Sequence, residues 1–204
     1  MKKIVLVALL FASPMIKAQD MDVMKGDFGF LNGQKEINVE FDYSKLKLLK
    51  DDKTETQYIE DRSAELNKKD KSNGEVWKKK WSDAKEGIWQ PKFLELVNVV
   101  LNKEKKDLSF QEGLVSAKYT LIVEAVWINP GYDVYVSKQA AKVSTNLKFV
   151  ETANKSKVLL EIQSENAPGD QWGNQFSNET RIGEGFAKTG KSLGKLLLKN
   201  AFKK

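Results

Sequence analysis

The string Gly185-Phe186-Ala187-Lys188-Thr189-Gly190-Lys191-Ser192 satisfies G-x-x-x-x-G-K-S, the spacing that cradles phosphate where a buried strand feeds a glycine-rich loop into a helix. The surroundings do not supply that context. Asn178 to Glu184 holds one aliphatic side chain and no strand pattern, and only 12 residues follow Ser192, too few for further parallel strands and a metal-binding acid. The same letters suit a helix instead. Ile182, Phe186, Gly190, Leu193, Leu197 and Ala201 recur at steps of 4, 4, 3, 4 and 4, with Gly183, Ala187, Gly190 and Gly194 beside them as a seam of small residues. Each Gly costs ~1 kcal/mol of helix propensity relative to Ala, so the seam is expected to be compensated by close packing on a sheet. Lys191 then reads as a solvated helix residue.

The remaining residue types limit the chemistry sharply. The chain has no His and no Cys, which removes Ser-His-Asp and Cys-His catalytic sets, zinc sites of nitrogen and sulfur ligands, disulfides and thiolate-bound iron-sulfur clusters. What is left is chemistry run by carboxylates, Lys, Tyr, Ser or Thr, as in a glycosidase built on two acids. Asp51-Asp52 and Glu60-Asp61 do not form such a pair, because neighbours on a regular element point apart. Asp70-Lys71-Ser72-Asn73-Gly74-Glu75 lacks the D-x-D-x-D-G spacing of a calcium loop and reads as a helix-ending turn. No catalytic residue, cofactor or metal ligand is assigned.

Two aromatic groups remain. Trp77, Trp81 and Trp89 stand at helical spacing, which favours a place in the core over an aromatic platform for sugars or bases. Asn166 to Phe176 reads N-A-P-G-D-Q-W-G-N-Q-F, a turn-rich loop that nevertheless holds Trp172 and Phe176. Trp172 has little apolar shelter from Pro168, Gly169, Asp170 and Gly173, so either the core or a partner must cover it. Trp172, Phe176, Asp170 and Gln171 are the candidate partner-binding residues.

The N-terminus has the pattern of an export signal: Lys2 and Lys3, then nine apolar residues from Ile4 to Ala12, then Ile16-Lys17-Ala18 with a small residue last. Nine residues are well short of the ~20 that span a bilayer, and no transmembrane segment is expected after cleavage. Removal of residues 1 to 18 takes away Lys2, Lys3 and Lys17 and no acid, so the formal charge falls from +6 to +3. Of the 34 basic residues only Arg62 and Arg181 are Arg, which argues against specific nucleic-acid recognition. Export to the periplasm, to an outer-membrane-associated site or to the medium is the expected location.

The elements follow from periodicity. Residues 19 to 33 carry Gly26, Gly29 and Gly33 with few apolar anchors and read as a flexible lead-in, with a single domain from 34 to 204. Ile37, Val39, Phe41 and Tyr43 alternate as a half-buried strand, and Thr56 to Lys105 is helical with breaks at Ser72-Asn73-Gly74 and at Gly87 to Pro91. Apart from Thr120 and Glu124, Tyr119 to Ile128 is apolar on both faces, as in a central strand covered on two sides, and ends in Asn129-Pro130-Gly131. Strands around Tyr132 to Val136, Val143 to Phe149 and Val158 to Ile162 follow as a meander. A closing helix starts at the N-cap Ser177 and runs to about Phe202. The fold class is α+β (or α/β): a single twisted mixed sheet of about four to five strands with helices packed on it.

This order, from about Gln34 onward, resembles the small α/β domain of exported bacterial envelope proteins, including curli-export lipoproteins and the N-terminal domain of the Tol-system propeller protein. The chain is also similar to uncharacterised secreted bacterial proteins in its N-P-G strand end at Asn129-Pro130-Gly131 and its R-I-G-E-x-x-A-K-x-G-K-x-L-G-K stretch at Arg181 to Lys195. The lipid-bearing Cys of the lipoproteins is absent. The resemblance brings no catalytic residues, and fold analogy alone does not give function; the leading expectation is a non-enzymatic envelope or secreted protein that binds a protein partner. The competing expectation is a carboxylate-dependent hydrolase acting on glycans. A cleft with two facing carboxylates would favour the enzyme, and an exposed apolar patch or open sheet edge would favour the partner.

Overall fold

A computed structural model describes residues 19–134, 137–169 and 177–202. The expected signal at residues 1–18 and the candidates Asp170, Gln171, Trp172 and Phe176 lie outside them. The strands are β1 (Asp20–Gly26), β2 (Glu36–Asp42), β3 (Lys47–Leu48), β4 (Lys53–Thr54), β5 (Ser109–Glu112), β6 (Tyr119–Asn129), β7 (Tyr132–Val134), β8 (Ser137–Gln139), β9 (Ala141–Glu151) and β10 (Asn154–Gly169). The helices are α1 (Glu55–Asn67), α2 (Asn73–Ala84), α3 (Gln90–Lys103) and α4 (Asn178–Asn200), with a π-turn at Lys85–Trp89. None is long and apolar enough to cross a membrane among the described residues.

The mixed α+β class holds, but the main sheet has eight strands rather than four to five. It runs β1-β10-β9-β6-β2-β5, with β3 and β4 attached beside β6, and β7 and β8 form a separate hairpin. Pairing is parallel where β2 meets β5 and β6 and where β3 meets β6, and antiparallel elsewhere. The unexpected strands are those that alternation cannot reveal: two residues each in β3 and β4, four in β5, and a nearly uniformly exposed β1. The supposed lead-in is thus an edge strand, Asp20 to Gly26, paired antiparallel with β10. Backbone pairing holds it where an apolar stripe is lacking.

The core lies between the helices and one face of the sheet. Leu121, Val123 and Ala125 of β6 are fully buried there, Phe41 meets Phe93 edge-on at 5.7 Å, and Tyr43 lies 6.1 Å from Trp89. Trp81 and Trp89 are core residues, with Trp89 stacked on Phe186 at 5.8 Å. The second face of β6 is also covered at Thr120 and Glu124, which are buried. That face is closed by polar side chains: Asn38 donates to Thr120 at 3.2 Å, and buried Glu124 accepts from Lys45, Lys148 and Asn146 at 2.8, 3.0 and 3.2 Å. Burial alone would raise the Glu124 carboxyl, but these hydrogen bonds and the Lys148 charge overrule it and hold it at about 2.

The helices begin and end largely where their signals place them. Thr54 and Gln57 form a reciprocal capping box at the start of α1, and Ser177 caps α4 through the Thr180 N–H. No break occurs at Gly87 to Pro91. The π-turn carries α2 straight into α3, with Pro91 in the first turn, where its missing N–H costs nothing. The glycine seam of α4 also packs differently from expectation. A Cβ on Gly190 would sit 2.2 Å from the Phe93 carbonyl oxygen, one on Gly194 2.8 Å from Val100 Cβ, and one on Gly183 2.7 Å from Ile88 Cγ2, so the seam faces α3 and the π-turn, not the sheet. Gly185, outside the seam, meets the sheet at Val143. The phosphate-loop string lies wholly inside α4 with Lys191 exposed.

Candidate functional site

Both ends of the main sheet carry features that discourage further strands. On β1 the register slips between Val23 and Lys25, and Asp20, Asp22 and Lys25 charge the edge, the usual guards against unwanted pairing. At the other end, Asn98 of α3 accepts from the Phe110 N–H at 2.9 Å and donates to the Phe110 carbonyl at 2.8 Å, so one side chain takes the place of a strand neighbour.

The open stretch lies between these ends. β2 pairs with β6 as far as Asp42, but its pairing with β5 stops at Val39 opposite Glu112. Gly113, at φ +78°, turns the chain away at that point, a left-handed conformation natural to Gly. Asn38 holds the departing turn by accepting from the Leu114 N–H at 3.0 Å. Glu40 to Asp42 therefore lie past the end of β5 on that side of the strand. The notch is a cleft of about 700 Å³, floored by Phe41, walled by Glu86 of the π-turn and Gln90 of α3, and rimmed by Glu112 and Val115. Val115 is 82% exposed, the most exposed of the large apolar side chains described.

The charge of the cleft opposes that of the chain. Glu40 is paired with Lys155 at 2.6 Å, whereas Glu86 and Glu112 have no ion-pair partner among the described residues. Partial desolvation raises the Glu112 carboxyl above its ordinary value, and the Glu86 charge adds to the rise. Behind the cleft wall, burial also pushes the Tyr43 phenol well above its ordinary value. Lys85 covers that ring at 4.8 Å and bonds Glu55 at 2.8 Å. Among the described residues no cluster of three or more acidic side chains is placed to hold a metal ion.

The flanks of the sequence-selected loop are described even though its centre is not. Asn166 to Gly169, expected to open that loop, belong instead to β10, which pairs with β9 as far as Gly169 and Ala141. Asn166 takes a left-handed φ of 54° and donates its N–H to Ser144 Oγ at 3.1 Å, making the bulge that lets Pro168 continue the strand. Sequence reasoning missed Glu86 and Glu112, which stand 26 positions apart and meet only through the fold. The one local signal was Gly113 directly after Glu112, a strand stop beside an acid.

No protein-family model matches the chain, and no curated protein matches it. Among solved structures, a PelC variant dodecamer from Paraburkholderia phytofirmans is 10% identical with a TM-score of 0.42, covering 86% of this chain and 98% of that one. A second crystal form of the PelC dodecamer is 10% identical with a TM-score of 0.40, covering 84% and 96%. At those values the likeness carries no functional argument.

Proposed function

We propose that this chain is a non-enzymatic binding module of an exported cell-envelope or secreted protein, and that its cleft takes an extended, basic segment of a protein partner. One observation supports this above the others: β2 runs past the end of β5 as far as Asp42, leaving a stretch of sheet edge with no strand paired beside it among the described residues. Strand addition at such an edge supplies backbone hydrogen bonds, while the flanking pockets select side chains. Glu86 and Glu112 select Lys or Arg on the incoming strand, and exposed Val115 offers an apolar contact at the rim. The test is capture from envelope extract by the wild type and by a Glu86→Lys, Glu112→Lys double variant. The reading expects the variant to lose the captured protein at an unchanged melting temperature. Equal capture by both refutes it.

A second reading uses the same acids. The cleft brings two carboxyl groups together, one of them raised above its ordinary value, as in hydrolases that divide acid and base roles between two carboxyls. On that reading Glu112 is the proton donor and Glu86 the base or nucleophile of a glycan hydrolase. Chromogenic glycosides decide between the two: turnover that Glu112→Gln abolishes would favour the enzyme, and no turnover with intact capture would favour the partner.

A further inference from the structure

α4 turns a row of lysines outward. Lys188, Lys191, Lys195 and Lys199 follow at steps of 3, 4 and 4, which at 3.6 residues per turn keeps them within about a quarter of the circumference over about 16 Å of helix. All four are exposed, and none has an ion-pair partner among the described residues. No acid interrupts the row. Glu184 is paired with Lys92, and no Asp or Glu follows it in the sequence.

α3 widens this surface. The glycine seam sets α3 against α4 with both helices running the same way, Gly183 opposite Ile88 and Lys92, Gly190 opposite Phe93, and Gly194 opposite Val100. By the same spacing Lys92, Leu96, Val99 and Lys103 share one row of α3, and Leu96 lines a cavity of about 220 Å³ together with Lys188 and Lys191. Val99 is 51% exposed and Leu96 half-buried, so apolar surface stands beside the lysines. Glu95 is the one acid of α3.

We propose that this two-helix face rests on an anionic phospholipid surface, with the ammonium groups of Lys188, Lys191, Lys195 and Lys199 at the headgroup phosphates and Val99 at the boundary with the acyl chains. Lysines in such a row are drawn to the negative potential of anionic lipid, each contributing about fivefold in partition. Their long stems keep the charges with the phosphates while an apolar neighbour dips below them. Neither Arg of the chain belongs to this face, since Arg62 is on α1 and Arg181 is buried in the first turn of α4. The forked contacts that suit nucleic acid are therefore missing from it.

The test is co-sedimentation of the full chain with vesicles of equal parts phosphatidylglycerol and phosphatidylcholine, beside vesicles of phosphatidylcholine alone. Tighter binding to the anionic vesicles is expected, falling steeply between about 0.1 M and about 1 M salt as the Debye length shortens from about 10 to about 3 Å. Lys191→Gln with Lys195→Gln should lose about 25-fold in partition at an unchanged melting temperature. Should that variant fail to fold, Lys188→Gln with Lys199→Gln removes the same charge from the two ends of the row and should lose as much. Lys68→Gln with Lys69→Gln, exposed lysines just past the end of α1, should lose less than about twofold. The apolar segment from Ile4 to Ala12 is present in every arm, so the difference between variants is what assigns the binding to α4. Equal binding to the two kinds of vesicle, no loss in the α4 variants, an equal loss in the α1 variant, or displacement from the vesicles by duplex DNA at the same phosphate concentration would overturn the proposal.

Discussion

At Gly190 two physical effects oppose each other, and the geometry decides which prevails. Helix propensity alone favours Gly190→Ala by ~1 kcal/mol, since Gly is among the poorest residues for a helix interior. Packing acts the other way. The added Cβ would lie 2.2 Å from the Phe93 carbonyl oxygen, 3.0 Å from its carbon and 3.2 Å from the Phe93 Cα. All three are backbone atoms of α3, which cannot rotate aside as a side chain can, so the helices must part along the seam that Gly183 and Gly194 share. Overpacking costs ~1 to 3 kcal/mol where a side chain can adjust, and a backbone clash at this distance belongs at or above the top of that range. The net effect is a loss of about 2 kcal/mol, or about 5 °C in melting temperature for a domain of this size. Gly87→Ala is the matched control, because its Cβ meets nothing within 4 Å in a helical turn. Thermal melts of the two variants beside the wild type should show Gly190→Ala lowered and Gly87→Ala unchanged or raised. If Gly190→Ala matched or exceeded the wild type, the close approach of α3 and α4 would be wrong.

Three other outcomes follow from the same geometry. Glu124 is held at about 2 against an ordinary carboxyl of 4.5, a difference worth about 3 kcal/mol, and because the folded value is the lower one that stability is present above the ordinary value and lost as pH falls through about 2. Denaturant titrations from pH 6 downward should therefore show a loss in the wild type that Glu124→Gln largely lacks, and parallel curves would refute the network. Asn98→Ala strips both hydrogen bonds from buried Phe110 and should cost about 2 kcal/mol while opening β5 to self-association, read by melts and light scattering. The signal reading places the mature start at Gln19, and N-terminal sequencing of exported material that found Met1 intact would contradict it.

What could be read from sequence depended on how local its cause was. Ser177 was legible as a helix cap because a cap acts within three residues, and the apolar stripe from Ile182 to Leu197 because it repeats within one helix. The partner of the glycine seam was not legible. Small residues announce a close approach without saying to what, and the neighbour proved to be α3 rather than the sheet. β5 escaped because its four residues bury Phe110 alone, and its place beside β2 is fixed by tertiary pairing and by Asn98. Gly87 and Pro91 read as a break because the letters do not distinguish a helix end from a π-turn that admits an extra residue. The acidic cleft was hidden for the same reason as β5. Glu86 belongs to a helical segment and Glu112 to a strand, and only the early end of β5 brings them to one notch.

The central claim is that a partner strand enters beside β2, and photo-crosslinking tests it most directly. A photoreactive residue placed at Val115, 82% exposed on the cleft rim, is compared with one at Val76, 53% exposed on α2, each in the full chain inside its native cells. The account predicts a discrete protein adduct from Val115, absent from Val76 and lost when Glu86 and Glu112 are both changed to Lys. No adduct at Val115, or the same adducts from both positions, would contradict it.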